Sequence, residues 1–503
     1  MARLGIAAAL ALALVAPAFS QEAEETDTTD TGGVFSDFHL FGTTNAFFED
    51  NQTTQENGEE NDYRKIKLLV SVNATWSKFA AGLDLEYLDY SVPTDEVERG
   101  DLDRLHDEVE ARKYYLEYLS DHFSLRLGTF FTSFGHGMTL YVQKNDQIGL
   151  DEPVHGGTAT LTFGRLELTA LGGRVTDPLL EIQRNREFED EIMGGRVLAR
   201  LPYDLYVGGS YVEAKLDSLM VAGAEDEVEV LGLEAGGYSL AGFLDVNGEW
   251  ADMEQLKRGP LEDRTVDGHG RYLSLSSTFG PVTILVEGKD YRDFQYRYNL
   301  APNAGRPVET YDHDDVEGAR LQVDGYITAS GTLLFASYGD FDNHAENDAQ
   351  TEWYVGAEET VGPLYAEASY FNRDLTDRHI REEHTIVDAN LRTGNRGDIN
   401  LGYDFRLESS STHRFGTHRS HLGYSWSPYG SIGVRYSWVE KSTIDTTFPT
   451  TEFWGGEIEY HPISAITVSL FGGKDPGGLI CSGGQCREEP PFEGLRARLT
   501  YRF

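Results

Sequence analysis

The chain has 503 residues, with 84 acidic against 42 basic side chains and a formal net charge of −42. Such an acidic balance excludes a basic nucleic-acid-binding face and favours cations over anions as partners. Disorder is excluded too, because 27 Tyr, 26 Phe and 6 Trp supply more apolar surface than a solvated acidic chain carries.

The sequence begins "MARLGIAAALALALVAPAFSQEAEE". One Arg, an apolar run from Leu4 to Val15 and the small-residue site Ala18-Phe19-Ser20 predict a secretory signal peptide over residues 1–20. The apolar run is too short for a membrane anchor, which needs roughly 20 apolar residues. Residues 21–33 read as a short acidic periplasmic tail.

From residue 34 to 503 the pattern has period two. "KIKLLVSVNATW" places Ile66, Leu68, Val70, Val72, Ala74 and Trp76 on one face. "FAAGLDLEYLDY" places Phe79, Ala81, Leu83, Leu85 and Tyr87 opposite Asp84 and Glu86. "DINLGYDFRLE" repeats the arrangement around Leu401, Tyr403 and Phe405. Period two with one apolar and one polar face means strands.

The connections alternate in size. Tight ones include Ser77-Lys78, Ser120–His122, Gly164-Arg165, Pro202–Asp204, Gly280-Pro281, Ser330-Gly331 and Gly362-Pro363. Long polar ones lie between them, such as Ser91–Val109, Gly135–His155, Thr176–Asp190, Met253–Asp267, Leu300–Asp312 and Asp475–Pro490. A soluble sandwich has no reason to sort its loops by length. A bacterial outer-membrane barrel does, with short periplasmic turns and long outer loops. The expected fold is therefore all-β, a transmembrane antiparallel up-and-down barrel of about 24 strands, within a range of roughly 20 to 26. Only a closed barrel crosses lipid as β-structure, since open edges would leave backbone groups unpaired.

The final segment "LRARLTYRF" reads as the closing strand. Leu495, Ala497 and Leu499 face lipid, Tyr501 and Phe503 reach the interfacial aromatic girdle, and Arg496 and Arg498 face the lumen. This ending resembles the C-terminal signature of outer-membrane barrels. The resemblance implies that Tyr501 and Phe503 form the signal read by the outer-membrane assembly machinery.

By the same phase Asp84, Glu86, Lys113, Glu117 and Arg126 face inward, as do Arg320, Asp324, Asp388, Arg392, Asp404 and Arg406. Rings of mixed charge set ion selectivity in pores. The alternative for each residue is simple pairing across strands.

One tract breaks the rhythm: "LGTFFTSFGHGMTLYVQKNDQIGLDEPVHGG", residues Leu127 to Gly157. Gly135-His136-Gly137 interrupts a strand, and Met138, Leu140, Val142, Ile148 and Leu150 are too apolar for a solvated loop. Residues 135–155 are expected to fold into the lumen and narrow it. Its polar residues would be His136, Lys144, Asp146, Asp151, Glu152 and His155. The tract is similar to a family of uncharacterised porin-like bacterial outer-membrane proteins, whose run of glycine and aromatic residues ending in G-x-G-x-x-L is followed by a G-x-D…G run. The matching residues are Gly128, Phe130, Phe131, Phe134, Gly135, Gly137, Leu140, Gly149, Asp151 and Gly156. The last loop, "GGLICSGGQCREEPPFEG", fits the same resemblance, which implies fold and location but no substrate.

The two cysteines, Cys481 and Cys486, lie in "CSGGQC" and meet an oxidising compartment after export, so a loop disulfide is expected. No metal site or cofactor is expected. "YDHDDVEG" (Tyr311 to Gly318) is acidic enough for surface Ca²⁺ or Mg²⁺, yet lacks the ligand spacing of a calcium loop. Such ions would bridge loop acids to lipopolysaccharide.

These observations point to an outer-membrane porin-like channel for passive diffusion of small polar solutes, with cation preference. Its surroundings would be the lipid bilayer and lipopolysaccharide. The alternative is a non-conducting scaffold or receptor, closed by loops or by a partner lipoprotein. A barrel-borne hydrolase is disfavoured because no G-x-S-x-G elbow occurs, so no enzyme is expected.

Overall fold

A computed structural model describes residues 38–503 apart from 55–59, 92–108, 145–150, 152, 177–188, 219–220, 222–223, 261, 303–314, 346–348, 377–378, 411–413, 441–451, 483–484 and 490–491. The signal and tail segments, Asp146 and Glu152 of the sequence reading lie outside the described residues.

Twenty-four strands form one antiparallel sheet. Each strand pairs with its successor. The first, Phe38–Thr54, also pairs with the last, Phe492–Arg502, from Thr43↔Arg502 to Asn51↔Gly494. The sheet is thus a closed cylinder in which each strand has a partner strand on both sides. Among the described residues no helix is long and apolar enough to cross a membrane. Crossing falls to the strands, which need about 9–11 residues each when tilted. Lengths run from 8 residues in Phe123–Phe130 to 17 in Phe38–Thr54, so many strands continue past a bilayer.

The outer face carries an apolar belt. Leu83, Leu116, Leu127, Leu161, Leu401, Leu422, Val434 and Leu499 are all exposed large hydrophobics on one phase of their strands. Aromatic residues gather at the short-turn end: Trp76 packs on Phe79, Phe79 on Tyr118, and Phe243 on Phe279. Tyr501 stacks on Phe503 there, with ring centroids 5.8 Å apart. Phe503 closes the cylinder from its last residue. Its amide donates to the Gly42 carbonyl (3.0 Å), and its own carbonyl accepts from the Gly42 amide (2.8 Å). Gly42 has to be small, because a Cβ there would stand 2.7 Å from the Phe503 ring.

Four consecutive strands depart from the expected polarity. Glu189–Arg200, Leu205–Asp217, Glu225–Leu240 and Leu244–Lys257 keep apolar outward residues at their turn ends: Val197, Val207, Leu231 with Leu233, and Trp250. Towards the loop ends the outward residues become Glu191, Glu213, Glu229, Asp252 and Glu254, while Ile192, Val212, Ala214, Val228, Val230 and Met253 face inward and are buried. The pattern inverts where the wall leaves the apolar belt, because water then bathes the outside and protein covers the inside.

This inversion corrects two readings of the sequence. Met253–Asp267 is not a long loop, since one strand runs on to Lys257 and the next starts at Arg264. Nor is the lumen lined by polar faces throughout.

Candidate functional site: the barrel lumen

Two segments fold into the cylinder. The first is a small hairpin, Thr132–Phe134 against Leu140–Val142, separate from the barrel sheet. The second is the stretch 293–302 that follows the strand Val282–Arg292. They bond to each other: the Tyr141 amide donates to the Tyr298 carbonyl (2.7 Å), and the Leu300 amide donates to the Gly137 carbonyl (3.0 Å). Phe134, Met138, Leu140, Phe294, Tyr296 and Tyr298 then pack on Ile192, Val212, Val230 and Met253 of the wall in one buried cluster.

The wall is shaped for this packing. Inward glycines leave room where the hairpin docks. A Cβ on Gly232 would stand 2.1 Å from Thr139 Oγ1, and one on Gly270 would stand 2.6 Å from the Met138 methyl. A Cβ on Gly194 would meet the Tyr211 carbonyl at 2.8 Å and Phe134 at 3.3 Å. Gly137 turns the hairpin at φ 98°, a left-handed conformation that favours glycine.

Polar groups fix the docked segments. Asp190, 1% exposed, accepts from the Tyr298 hydroxyl (2.6 Å) and the Asp217 amide (2.8 Å), and pairs with Arg297. Burial works against the charge on Arg297, yet the Asp190 carboxylate beside it raises the guanidinium pKa. The buried Glu249 accepts from the His136 amide (2.5 Å) and lies 3.1 Å from its Nδ1. Burial pushes the Tyr296 hydroxyl well above its ordinary pKa, so it remains a donor, and it donates to the Thr139 carbonyl.

The predicted inward tract therefore starts earlier and ends sooner than residues 135–155. Lys144 is exposed just past the hairpin. Asp151 pairs with Lys113 of the wall. His155 is no loop residue: it belongs to the wall strand Val154–Phe163, on the outward phase with Leu161, beside Tyr114 (ring centroids 6.0 Å) and Thr129 Oγ1 (3.3 Å). The loop ends early because strand pairing with Phe123–Phe130 resumes at Val154↔Phe130. Sequence reasoning missed the second inward segment. Its signal was Phe294, Tyr296 and Tyr298 at alternate positions, which reads equally well as one more strand.

The remaining predicted lumen residues sit mostly in paired arrangements. Lys113 lies 4.0 Å from Asp84, and Glu86 holds Lys67 and Arg112 at 2.9 Å each. Arg112 was not expected inside. A register shift between Asp84 and Leu85 turns Arg112 and Lys113 both inward. Arg126 lies 3.7 Å from Glu117 and stacks over Tyr115 at 3.8 Å. Arg320 donates to Glu287 (2.5 Å), Asp324 accepts from Gln322 (3.0 Å), and Asp404 lies 2.7 Å from His384. Asp388 lies 3.8 Å from His421, and Arg406 lies 3.7 Å from Glu382. Arg496 lies 3.3 Å from Glu49 and stacks over Phe492. Arg498 stands 5.7 Å over the Phe47 ring. Arg392 reaches Asp398 at 3.9 Å with its side chain 75% exposed, near the turn between their strands.

On the side of the cylinder opposite the inward segments, the wall surrounds a cavity of about 710 Å³ lined by Asp388, Asn400, His421, Arg435, Glu457 and Phe471, among others. Arg435 pairs with Glu457, and His421 Nε2 lies 2.6 Å from Asn400 Oδ1. The Cys481–Cys486 hairpin, Gly478–Ser482 against Gln485–Glu489, sets the two cysteines opposite each other in register.

A closed 24-strand antiparallel cylinder with an apolar outer belt and charged inner positions defines a β-barrel of the outer-membrane type. The chain belongs to a family of unknown function, DUF6029, which matches residues 1–298. No curated protein matches it. Solved structures share the fold. The siderophore receptor PirA from Pseudomonas aeruginosa superposes with a TM-score of 0.51 at 12% identity, covering 95% of this chain and 81% of that one. PirA from Acinetobacter baumannii gives 0.50 at 8% identity, with the same coverage. The E. coli P pilus tip assembly intermediate PapC-PapD-PapK-PapG gives 0.53 at 10% identity, covering 95% of this chain and 63% of that chain. At such identities the likeness is one of fold.

Proposed function

We propose that this protein is an outer-membrane channel for passive diffusion of small polar solutes, narrowed from one side by its two inward segments. The observation that supports this reading most is the asymmetry of the lumen. The wall from Leu171 to Tyr291 is covered by apolar packing, whereas the opposite wall keeps charged and amide side chains around the 710 Å³ cavity. A solute path would follow that polar side. The net charge of −42 favours cations along it. No catalytic role belongs to this reading.

The test is planar-bilayer recording of the purified, refolded protein. Stepwise conductance with cation preference supports the channel. Silent bilayers, or anion selectivity, overturn it. The second reading, a non-conducting scaffold or receptor, draws on the same apolar packing of Phe134, Met138 and Tyr296, which would serve a closed plug equally well. Silent bilayers together with a stoichiometric partner in pull-downs would favour it.

A further inference from the structure

The motif "YDHDDVEG" is not absorbed by the channel. Its described residues Asp315 and Glu317 come together with two groups from elsewhere in the chain. Glu317 stands directly opposite Asp290 in the pairing of Val282–Arg292 with Val316–Ile327. On its other side Glu317 stands opposite Asp342. Like charges placed opposite one another destabilise a sheet unless something between them is positive. Into this row reaches His344, from the segment that follows the strand Thr332–Asp342. Its Nδ1 lies 2.6 Å from Asp315 Oδ1. Its Nε2 lies 3.0 Å from Asp290 Oδ1 and 3.8 Å from Glu317 Oε2. One ligand atom each from Asp290, Glu317 and His344 fall within 4.8 Å of one another.

We propose that Asp290, Glu317 and His344 form a binding site for a divalent transition-metal cation on the outer wall of the barrel, at its loop end. Carboxylates alone would not distinguish this place. Glu213, Glu229 and Glu254 also align across three strands, but that row contains no imidazole and carries no such assignment. The distinguishing group is His344. With Nδ1–H given to Asp315, a metal would take the place of the Nε2 proton that otherwise bridges to Asp290. This is the arrangement in which an outer carboxylate fixes a metal-bound histidine. Tetrahedral zinc, with bonds of about 2.0–2.1 Å, sets its ligand atoms roughly 3.3 Å apart. The Nε2 separations of 3.0 and 3.8 Å bracket that value, and the three ligand atoms fall within 4.8 Å of one another. An imidazole nitrogen suits zinc, nickel or copper, while Ca²⁺ and Mg²⁺ prefer all-oxygen sets. Arg271, 3.3 Å from Asp290 Oδ2, leaves Oδ1 for the metal. Asp315 is a positioning residue here, and the site is independent of whether the lumen conducts.

The test is equilibrium dialysis of tag-free full-length protein, folded in detergent, with Zn²⁺ alone and then with Ca²⁺ or Mg²⁺ in excess. The expected result is one saturable Zn²⁺ per chain that Ca²⁺ and Mg²⁺ do not displace. His344→Ala and Glu317→Gln abolish that site. Asp315→Asn weakens it by about 10- to 100-fold while leaving the stoichiometry intact. Heat-modifiable migration on SDS gels checks that each variant retains the closed barrel. Absence of Zn²⁺ binding by the wild type overturns the proposal. So does unchanged binding by a folded His344→Ala variant, or ready displacement by Ca²⁺, which would mark an acidic patch only.

Discussion

The Tyr296 hydroxyl donates to the Thr139 carbonyl at 2.6 Å across 157 positions of sequence, joining the two inward segments inside the cylinder. Thr139 Oγ1 in turn accepts from Ser210 Oγ of the wall at 3.0 Å. The hairpin is thereby tied both to its neighbour in the lumen and to the strand behind it. Loosening either tie should widen the passage before it unfolds the barrel.

Tyr296→Phe leaves the buried Thr139 carbonyl without this donor, at a cost of about 1–3 kcal/mol. Single-channel recording is expected to show larger or noisier conductance steps. The heat-modifiable band of the barrel should persist, because no strand pairing is touched.

Gly232→Ala tests the docking surface from the wall. Its Cβ would overlap Thr139 Oγ1 and crowd Ser210 Oγ, so the bond between these two hydroxyls must break or the hairpin tip must shift. The expected outcome is higher conductance than wild type and faster protease cleavage near residue 139. Gly209→Ala serves as the control, since the nearest atom to its Cβ would be 3.4 Å away.

Arg196 grips Glu234 with two bonds, at 2.6 and 2.7 Å. Glu234→Gln removes the counter-charge from a partly buried guanidinium. The penalty should fall below the roughly 3–5 kcal/mol of a fully buried pair, because Arg196 retains 21% exposure. Thermal unfolding in detergent is expected at a lower midpoint. The double change Arg196→Met with Glu234→Leu should recover much of the loss, since no lone charge remains.

Selectivity should respond to the polar wall. Glu457→Gln frees Arg435, and Asp388→Asn removes a second carboxylate from the cavity. Reversal potentials in a salt gradient are expected to shift toward anions in each single variant, and further in the double. Unchanged potentials would place the ion path elsewhere.

The cysteine pair predicts a redox result. Wild-type protein should take up no iodoacetamide until it is reduced. Cys481→Ser with Cys486→Ser should leave barrel assembly unchanged, because their hairpin is a separate two-stranded sheet.

The barrel was legible because its constraint is local. Lipid on one side and a polar space on the other force every crossing strand into the same alternation, as in Phe79–Ser91 or Gly397–Ser409. Loop sizes added the up-and-down order. The same rule fails at Met253, where the buried inward residue is apolar and its exposed neighbours Asp252 and Glu254 resemble a polar loop. It also failed at His155, whose phase in the wall depends on where pairing resumes after Phe130. Arg112 was missed because a bulge leaves no mark on the alternation of neighbouring residues.

The sequence by itself determined that the chain is extended and two-sided, since period-two patterning and turn residues act over a few positions. Only the tertiary structure decided which side of the cylinder is filled. That choice rests on contacts such as Tyr296 with Thr139 and Arg297 with Asp190, made over 157 and 107 positions. No pattern along a single strand records what packs against its inner face once the wall has passed beyond its apolar belt.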